Sequence, residues 1–303
     1  MATFSKSSFD SAIYATFRPT YPRSLYNCIF QYHERNKGAR WDRAVDLGCG
    51  TGQATVELTP FKRVTGVDPS SKMIEVAQST LKNKSTSTGQ YEFVQASAES
   101  LPFLDSSVDL VISAQACHWF DWNKIWPELA RVLRKDGSAA FWGYSKFRFT
   151  RYPSLTQQID AYVEGIDPLN SVGPYWEQPG RSILDNHLIE VPEGNEVVPG
   201  AFSDFERVFF TGDHYPSLPS PRSVIMRKKM TWDDLLSYLN TWSVLHTFRQ
   251  HNPTDWETPR GDVAVRFCKD LKEGVEREDG RAVEGHDEVD IEFPLAMILV
   301  KRA

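Results

Sequence analysis

One short run constrains this 303-residue chain more than any other: Val45-Asp46-Leu47-Gly48-Cys49-Gly50-Thr51-Gly52. An apolar strand runs into three glycines at every second position. Glycine is the residue for a backbone that must turn sharply or pass close to a ligand. The order strand, glycine turn, helix is the opening of a doubly wound α/β fold. The following segments keep that alternation. Arg43–Leu47 reads as a buried strand and Gln53–Pro60 as the start of a helix. Arg63–Asp68 is a second strand, Pro69-Ser70-Ser71 a helix start, and Met73–Leu81 an amphipathic helix. Tyr91–Ala96 and Val108–Ser113 are further strands, the latter almost wholly apolar, as suits a strand buried on both faces. Asn123–Arg134 is a helix stopped by Lys135-Asp136-Gly137, and Ser138–Tyr144 is a fifth strand.

The ladder then breaks. Residues 145–205 are rich in proline, glycine and aromatics, with weak periodicity. Phe205–Gly212 reads as a strand, Trp232–Arg249 as one long amphipathic helix, Asp262–Glu276 as another, and Val289–Val300 as a final strand. Asn252–Gly261 and Glu276–Glu288 read as solvated loops. Ahead of the ladder, Tyr14, Arg18, Pro19, Tyr21 and Pro22 form a punctuated stretch before a helix over Arg23–Arg35. The expected organisation is an N-terminal lid and helix (1–40), an α/β core (41–144), a helical cap or insertion (145–288) that returns one core strand near 205–212, and a final core strand (289–303).

The cofactor class follows from charge and spacing. A dinucleotide site uses GxGxxG, with a helix N-terminus on the pyrophosphate. Here the glycines stand at 48, 50 and 52, and Asp46 sits just before the turn. A fixed carboxylate repels a pyrophosphate and attracts an ammonium. Asp68, at the end of the second strand, is placed to accept both hydroxyls of an adenosine ribose. S-adenosyl-L-methionine (SAM) carries an amino-acid ammonium and no phosphate, so the electrostatics favour it over a nicotinamide dinucleotide. With 34 basic against 40 acidic residues and no basic run, the chain lacks the clustered cations that nucleic-acid binding uses. Cys28, Cys49, Cys117 and Cys268 show no metal-ligand spacing, so no metal is expected, and free thiols suit a reducing compartment. The polar N-terminus has no signal-peptide core, and no apolar stretch is long enough to span a bilayer. The expectation is a cytoplasmic enzyme with a small-molecule substrate and no nucleic-acid or membrane partner; the oligomeric state is open.

The Asp46-Leu47-Gly48-Cys49-Gly50-Thr51-Gly52 run resembles motif I of the class I SAM-dependent methyltransferases. That resemblance implies a Rossmann-like α/β fold with a seven-stranded, mostly parallel sheet, in which a reversed final strand inserts beside the fifth. It implies that Asp46, Gly48, Gly50 and Gly52 hold the amino-acid end of SAM, Asp68 the ribose, and Ala98 and Glu99 the adenine. Tyr14-Ala15-Thr16-Phe17-Arg18-Pro19-Thr20-Tyr21-Pro22 and Cys117-His118-Trp119-Phe120-Asp121 are similar to segments of the trans-aconitate methyltransferase-like group, as are Gly173–Arg181 and Thr241-Trp242-Ser243. In that group the first segment folds over the cofactor, which implicates Tyr14, Arg18 and Tyr21.

The resemblance implies carboxyl O-methylation of a small acid such as an aconitate-like metabolite. A carboxylate arrives ionised and needs no general base; it needs a dry pocket and a cation to orient it. Arg18, Arg181, Arg227 and Arg249 are the candidate cations, with Arg181 preferred because it closes the aromatic Gly173–Arg181 segment. His118, at the carboxyl end of the fourth strand, is the candidate catalytic residue, as a positioning group or a base. Trp119, Trp176, Trp242 and His246 are candidate substrate contacts. Two alternatives stay open: O- or C-methylation of an apolar secondary metabolite, and a SAM-binding regulator without turnover.

Overall fold

The computed structural model describes residues 16–82 and 90–303. The chain divides into two compact units. One comprises the described residues of 20–145 with 179–225 and 295–303; the other comprises the described residues 16–19 with 146–178 and 226–294. The strands in chain order are β1 (Arg43–Leu47), β2 (Arg63–Asp68), β3 (Gln90–Gln95), β4 (Val108–Ala114), β5 (Leu133–Tyr144), β6 (Arg148–Phe149), β7 (Phe202–Phe210), β8 (Arg227–Thr231), β9 (Glu288–Glu292) and β10 (Leu295–Arg302).

The first unit is the α/β core. Its seven-stranded sheet has the order β3-β2-β1-β4-β5-β10-β7. The pairs β1–β2, β2–β3, β1–β4 and β4–β5 are parallel, and β10 runs antiparallel to both β5 and β7. The expected seven-stranded Rossmann-like sheet with its reversed strand beside the fifth is therefore present. The strand order reverses between β1 and β4. In open α/β sheets ligands bind outside the carboxyl ends of the strands at such a point. The core under it is apolar on β1, β4, β5 and β10: Val45, Leu47, Val108, Val111, Ala139, Phe141, Ile298 and Val300 are all buried, packed with Trp122, Ile125, Trp126 and Leu129 from the helix Trp122–Val132.

Several local expectations are corrected. The helix expected over Gln53–Pro60 is a single 3-10 turn, Thr55–Glu57; the Thr55 hydroxyl bonds back to the Asp46 carboxylate and Pro60 follows closely. Lys135–Gly137 is not a stop after the helix, which ends at Val132, but part of β5. The range 145–288 is shared between the two units, because Pro179–Ile225 groups with the core.

In the second unit, Trp232–Arg249 is two helices, Trp232–Leu239 and Ser243–His251. Thr241 donates its hydroxyl to Tyr238 O at 2.6 Å, which satisfies a terminal carbonyl, and Trp242 is extended at ψ 129°. The first helix opens on a capping box between Thr231 and Asp234. The expected strand over 289–300 is likewise two. β9 pairs with β6 and β8 in a separate three-stranded antiparallel sheet, and β10 joins the large sheet. Pro294 stands between them and has no N–H to give to a ladder. The helix Val263–Asp279 runs past Glu276 to a left-handed Gly280. An aromatic cluster fills this unit, with Tyr162 stacked on Phe267 at 3.7 Å and Phe149, Trp232, Tyr238 and Phe293 buried.

Candidate functional site

β1 delivers Asp46 to the point where the strand order reverses, beside Gly66 of β2 and Ile112 of β4 in register. Its carboxylate is fully buried. Oδ2 accepts the Thr55 hydroxyl at 2.7 Å, and Oδ1 has no hydrogen-bond partner among the described residues. Burial, opposed by the Thr55 bond and reinforced by the Asp68 charge, pushes this carboxyl up to about 7. A buried acceptor without a donor is costly. A ligand ammonium would supply both the donor and the counter-charge.

The chain then turns. Gly48 sits at φ +66°, and a side chain there would begin 2.5 Å from Cβ of Ala116, which follows β4. The two loops at the reversal point therefore touch, and only glycine permits it. Gly50, at φ +53°, faces open space, with nothing within 4 Å of where a Cβ would stand. Its N–H donates to Asp68 Oδ2 at 2.9 Å, and Ser70 N–H donates to Asp68 Oδ1 at 2.9 Å. Burial raises the Asp68 carboxyl while these two amides oppose the rise. Asp68 is thus already the clamp that holds the glycine turn, with a second lone pair on each oxygen for a hydroxyl donor. A buried carboxylate, a paired carboxylate and an open glycine suit a ligand that brings an ammonium and hydroxyls, as SAM does. Beyond β3, Ala98 is buried, while Glu99 receives the Ser97 hydroxyl and, at 3.4 Å, Asp121 N–H.

At the end of β4, Gln115 takes φ +56°. Its side chain pairs with the Tyr144 backbone of β5, accepting from N–H at 2.7 Å and donating to O at 3.1 Å. His118 lies in the following 3-10 turn, Cys117–Trp119, and is buried. Its ring centroid is 4.8 Å from that of Trp119. The Trp119 ring also meets Gly180, where a Cβ would stand 2.5 Å away. The next residue, Arg181, donates Nε to Asp185 Oδ2 at 2.6 Å, with only 11% of its side chain exposed. The core unit therefore brings His118, Trp119 and the start of the Arg181 helix together. Tyr21 packs edge-on against Trp142 at 5.3 Å.

The other candidates belong to the second unit. Arg18 donates to Thr241 O at 3.1 Å and lies over the Tyr238 ring. Trp176 donates its indole N–H to Val163 O at 2.9 Å and packs against Trp242 at 5.8 Å. Trp242 is buried and also meets Phe147, Tyr162 and Tyr238. His246 follows on the helix Ser243–His251, partly buried. Arg227 pairs with Glu292, and Arg249 with Asp262 and Asn240. Tyr14 lies outside the described residues. Thr55 and Gln115 were missed in the sequence: neither residue type announces a bond made across the chain. The one usable signal was the position of Thr55, directly after the turn that follows Asp46.

The family model described as "Methyltransferase domain" matches residues 45–141. Saccharomyces cerevisiae CRG1, named as a SAM-dependent methyltransferase, is 32% identical over 281 residues, covering 90% of both chains. A Dictyostelium discoideum protein named as a methyltransferase is 28% identical over 294 residues, covering 96% of this chain and 93% of that one. A solved structure from Anaeromyxobacter dehalogenans, described as a type II methyltransferase, shares the fold at TM-score 0.64 and 23% identity, covering 94% of this chain and 97% of its own. The chain belongs to the SAM-dependent methyltransferases. It is an enzyme of that class and uses SAM. Among the described residues, no helix is long and apolar enough to cross a membrane.

Proposed function

We propose that this methyltransferase transfers a methyl group to an oxygen of a small acid, with an aconitate-like polycarboxylate as the substrate class. The observation that carries the reading is the grouping around Trp119: a buried histidine and the start of the helix bearing the nearly buried Arg181 both pack against it. When bound, SAM supplies an electrophilic methyl group on a sulfonium. The protein then has to position, not to activate, because an ionised carboxylate needs no base. Asp46 holds the ammonium, Asp68 the ribose hydroxyls, and Ala98 and Glu99 border the adenine. Arg181 orients an acid group through its planar guanidinium, and His118 fixes the acceptor oxygen.

One observation favours a second reading. Asp185 already neutralises Arg181, so an uncharged hydroxyl acceptor is compatible with the same grouping, with His118 as its base. Incubation with methyl-labelled SAM and a panel of acids, phenols and terpenoids separates the two. A base-labile label on an acid is the expected result. A base-stable label on a hydroxyl compound refutes the carboxyl assignment.

A further inference from the structure

We propose that Thr55 is a positioning residue for the cofactor: its hydroxyl fixes Oδ2 of Asp46 so that Oδ1 is presented to the cofactor ammonium, and binding expels a proton from the Asp46 carboxyl to solvent. The proposal rests on the assignment of the ammonium to Asp46 and goes beyond it, to what prepares that carboxylate and what binding does to its proton.

The geometry is direct. Asp46 and Thr55 are both fully buried, and the 2.7 Å bond between them spans the glycine turn. Oδ1, the oxygen Thr55 does not reach, is buried and unpartnered among the described residues. Neither state of the carboxyl is comfortable there. As an anion, Oδ1 lacks a donor; as an acid, its O–H lacks an acceptor. Among the described residues, the groups that bear on it come from several elements. Asp68 at the end of β2 is a like charge, Tyr26 on the helix Arg23–Glu34 and Cys49 in the turn both feel its charge, and β4 contributes apolar Ile112. Burial holds the carboxyl at about 7, so near neutral pH the free protein is divided between acid and anion. Only the anion binds an ammonium. Thr55 favours the anion: among the described residues, its bond is the influence that lowers this carboxyl. A valine at 55 would keep the shape and lose that influence.

The test is calorimetric titration with S-adenosylhomocysteine, which carries the same amino acid and needs no turnover. Titrations at pH 6 in buffers of different ionisation enthalpy count the protons released. A free α-amino group titrates near 7.7–8.0 and stays protonated at pH 6. The wild type is expected to release most of a proton per site there, from a carboxyl raised to about 7 by burial, and to bind several-fold tighter on rising from pH 5 to 6. Asp46→Asn should lose both effects. Thr55→Val should bind roughly tenfold more weakly at pH 7, with its affinity profile moved to higher pH, and Thr55→Ser should restore the profile. An affinity loss in Thr55→Val that is the same at every pH would overturn the positioning role. Proton release persisting in Asp46→Asn would overturn the coupling. Unchanged affinity in Asp46→Asn would overturn the ammonium assignment beneath both. The wild-type proton count stands even where a variant fails to fold.

Discussion

Replacing Asp68 by alanine removes two things at once. The carboxylate accepts Gly50 N–H and Ser70 N–H, each at 2.9 Å, and it is the proposed acceptor for the ribose hydroxyls. Hydrogen bonds to a charged group contribute about 1.5–3 kcal/mol each. Burial penalises the same charge, as the raised carboxyl records, so the two bonds do not contribute their full sum to the free protein. The net loss of stability is expected at about 1–3 kcal/mol, a drop of a few degrees in melting temperature for a protein of this size. Binding loses more: the ribose acceptor goes, and Gly50 N–H must be re-ordered as the ligand arrives. A loss of roughly 1.5–3 kcal/mol corresponds to about ten- to a hundredfold weaker affinity. Calorimetry with S-adenosylhomocysteine gives the affinity, and melting curves with and without it give the stability separately. Unchanged affinity beside the lowered melting temperature would refute the ribose assignment and leave Asp68 as a loop clamp alone.

Two further predictions follow from other parts of the core. With an acid acceptor, Arg181→Ala should mainly raise KM, while His118→Ala should lower kcat moderately without removing any pH dependence. With a hydroxyl acceptor, His118→Ala should cost about 10²–10⁴-fold and abolish a neutral-range titration of kcat. The comparison has to be made in kcat at saturating SAM, because Asp46, at about 7, places its own titration in cofactor binding. Lys301 is fully buried, bonded to His33 O at 2.5 Å, and burial holds its ammonium down to about 8. Above that pH the unfolded chain binds more protons than the native one, so this residue should make stability climb from pH 8 towards the ordinary lysine value of 10.5, by at most about 1.4 kcal/mol per pH unit. Lys301→Met should flatten that climb in denaturation curves, and an unaltered climb would assign it to another group.

The chain's local pattern was enough to determine the parallel ladder. β1, β2 and β4 are short runs buried along most of their length, β4 almost wholly apolar, and such runs beside a glycine turn read as strands without knowledge of their neighbours. Asp46 and Asp68 were legible for the same reason: the spacing of a strand end and a glycine turn is local. The breaks were not legible. Trp232–Arg249 keeps its helical periodicity across Asn240–Trp242, and only the Thr241 hydroxyl turned onto Tyr238 O, with Trp242 extended, shows where the helix ends. Nor does apolar alternation around Pro294 reveal that β9 and β10 enter different sheets, because strand pairing is set by partners far away in sequence. The site divides along the same line. Sequence supplied the carboxylates and the histidine. Only the tertiary structure decided that Thr55 takes one oxygen of Asp46 and leaves the other bare, that Gln115 clips β4 to β5, and that Asp185 shares Arg181. Each of these depends on burial or on a bond between side chains brought together by folding, and no single-residue preference encodes them.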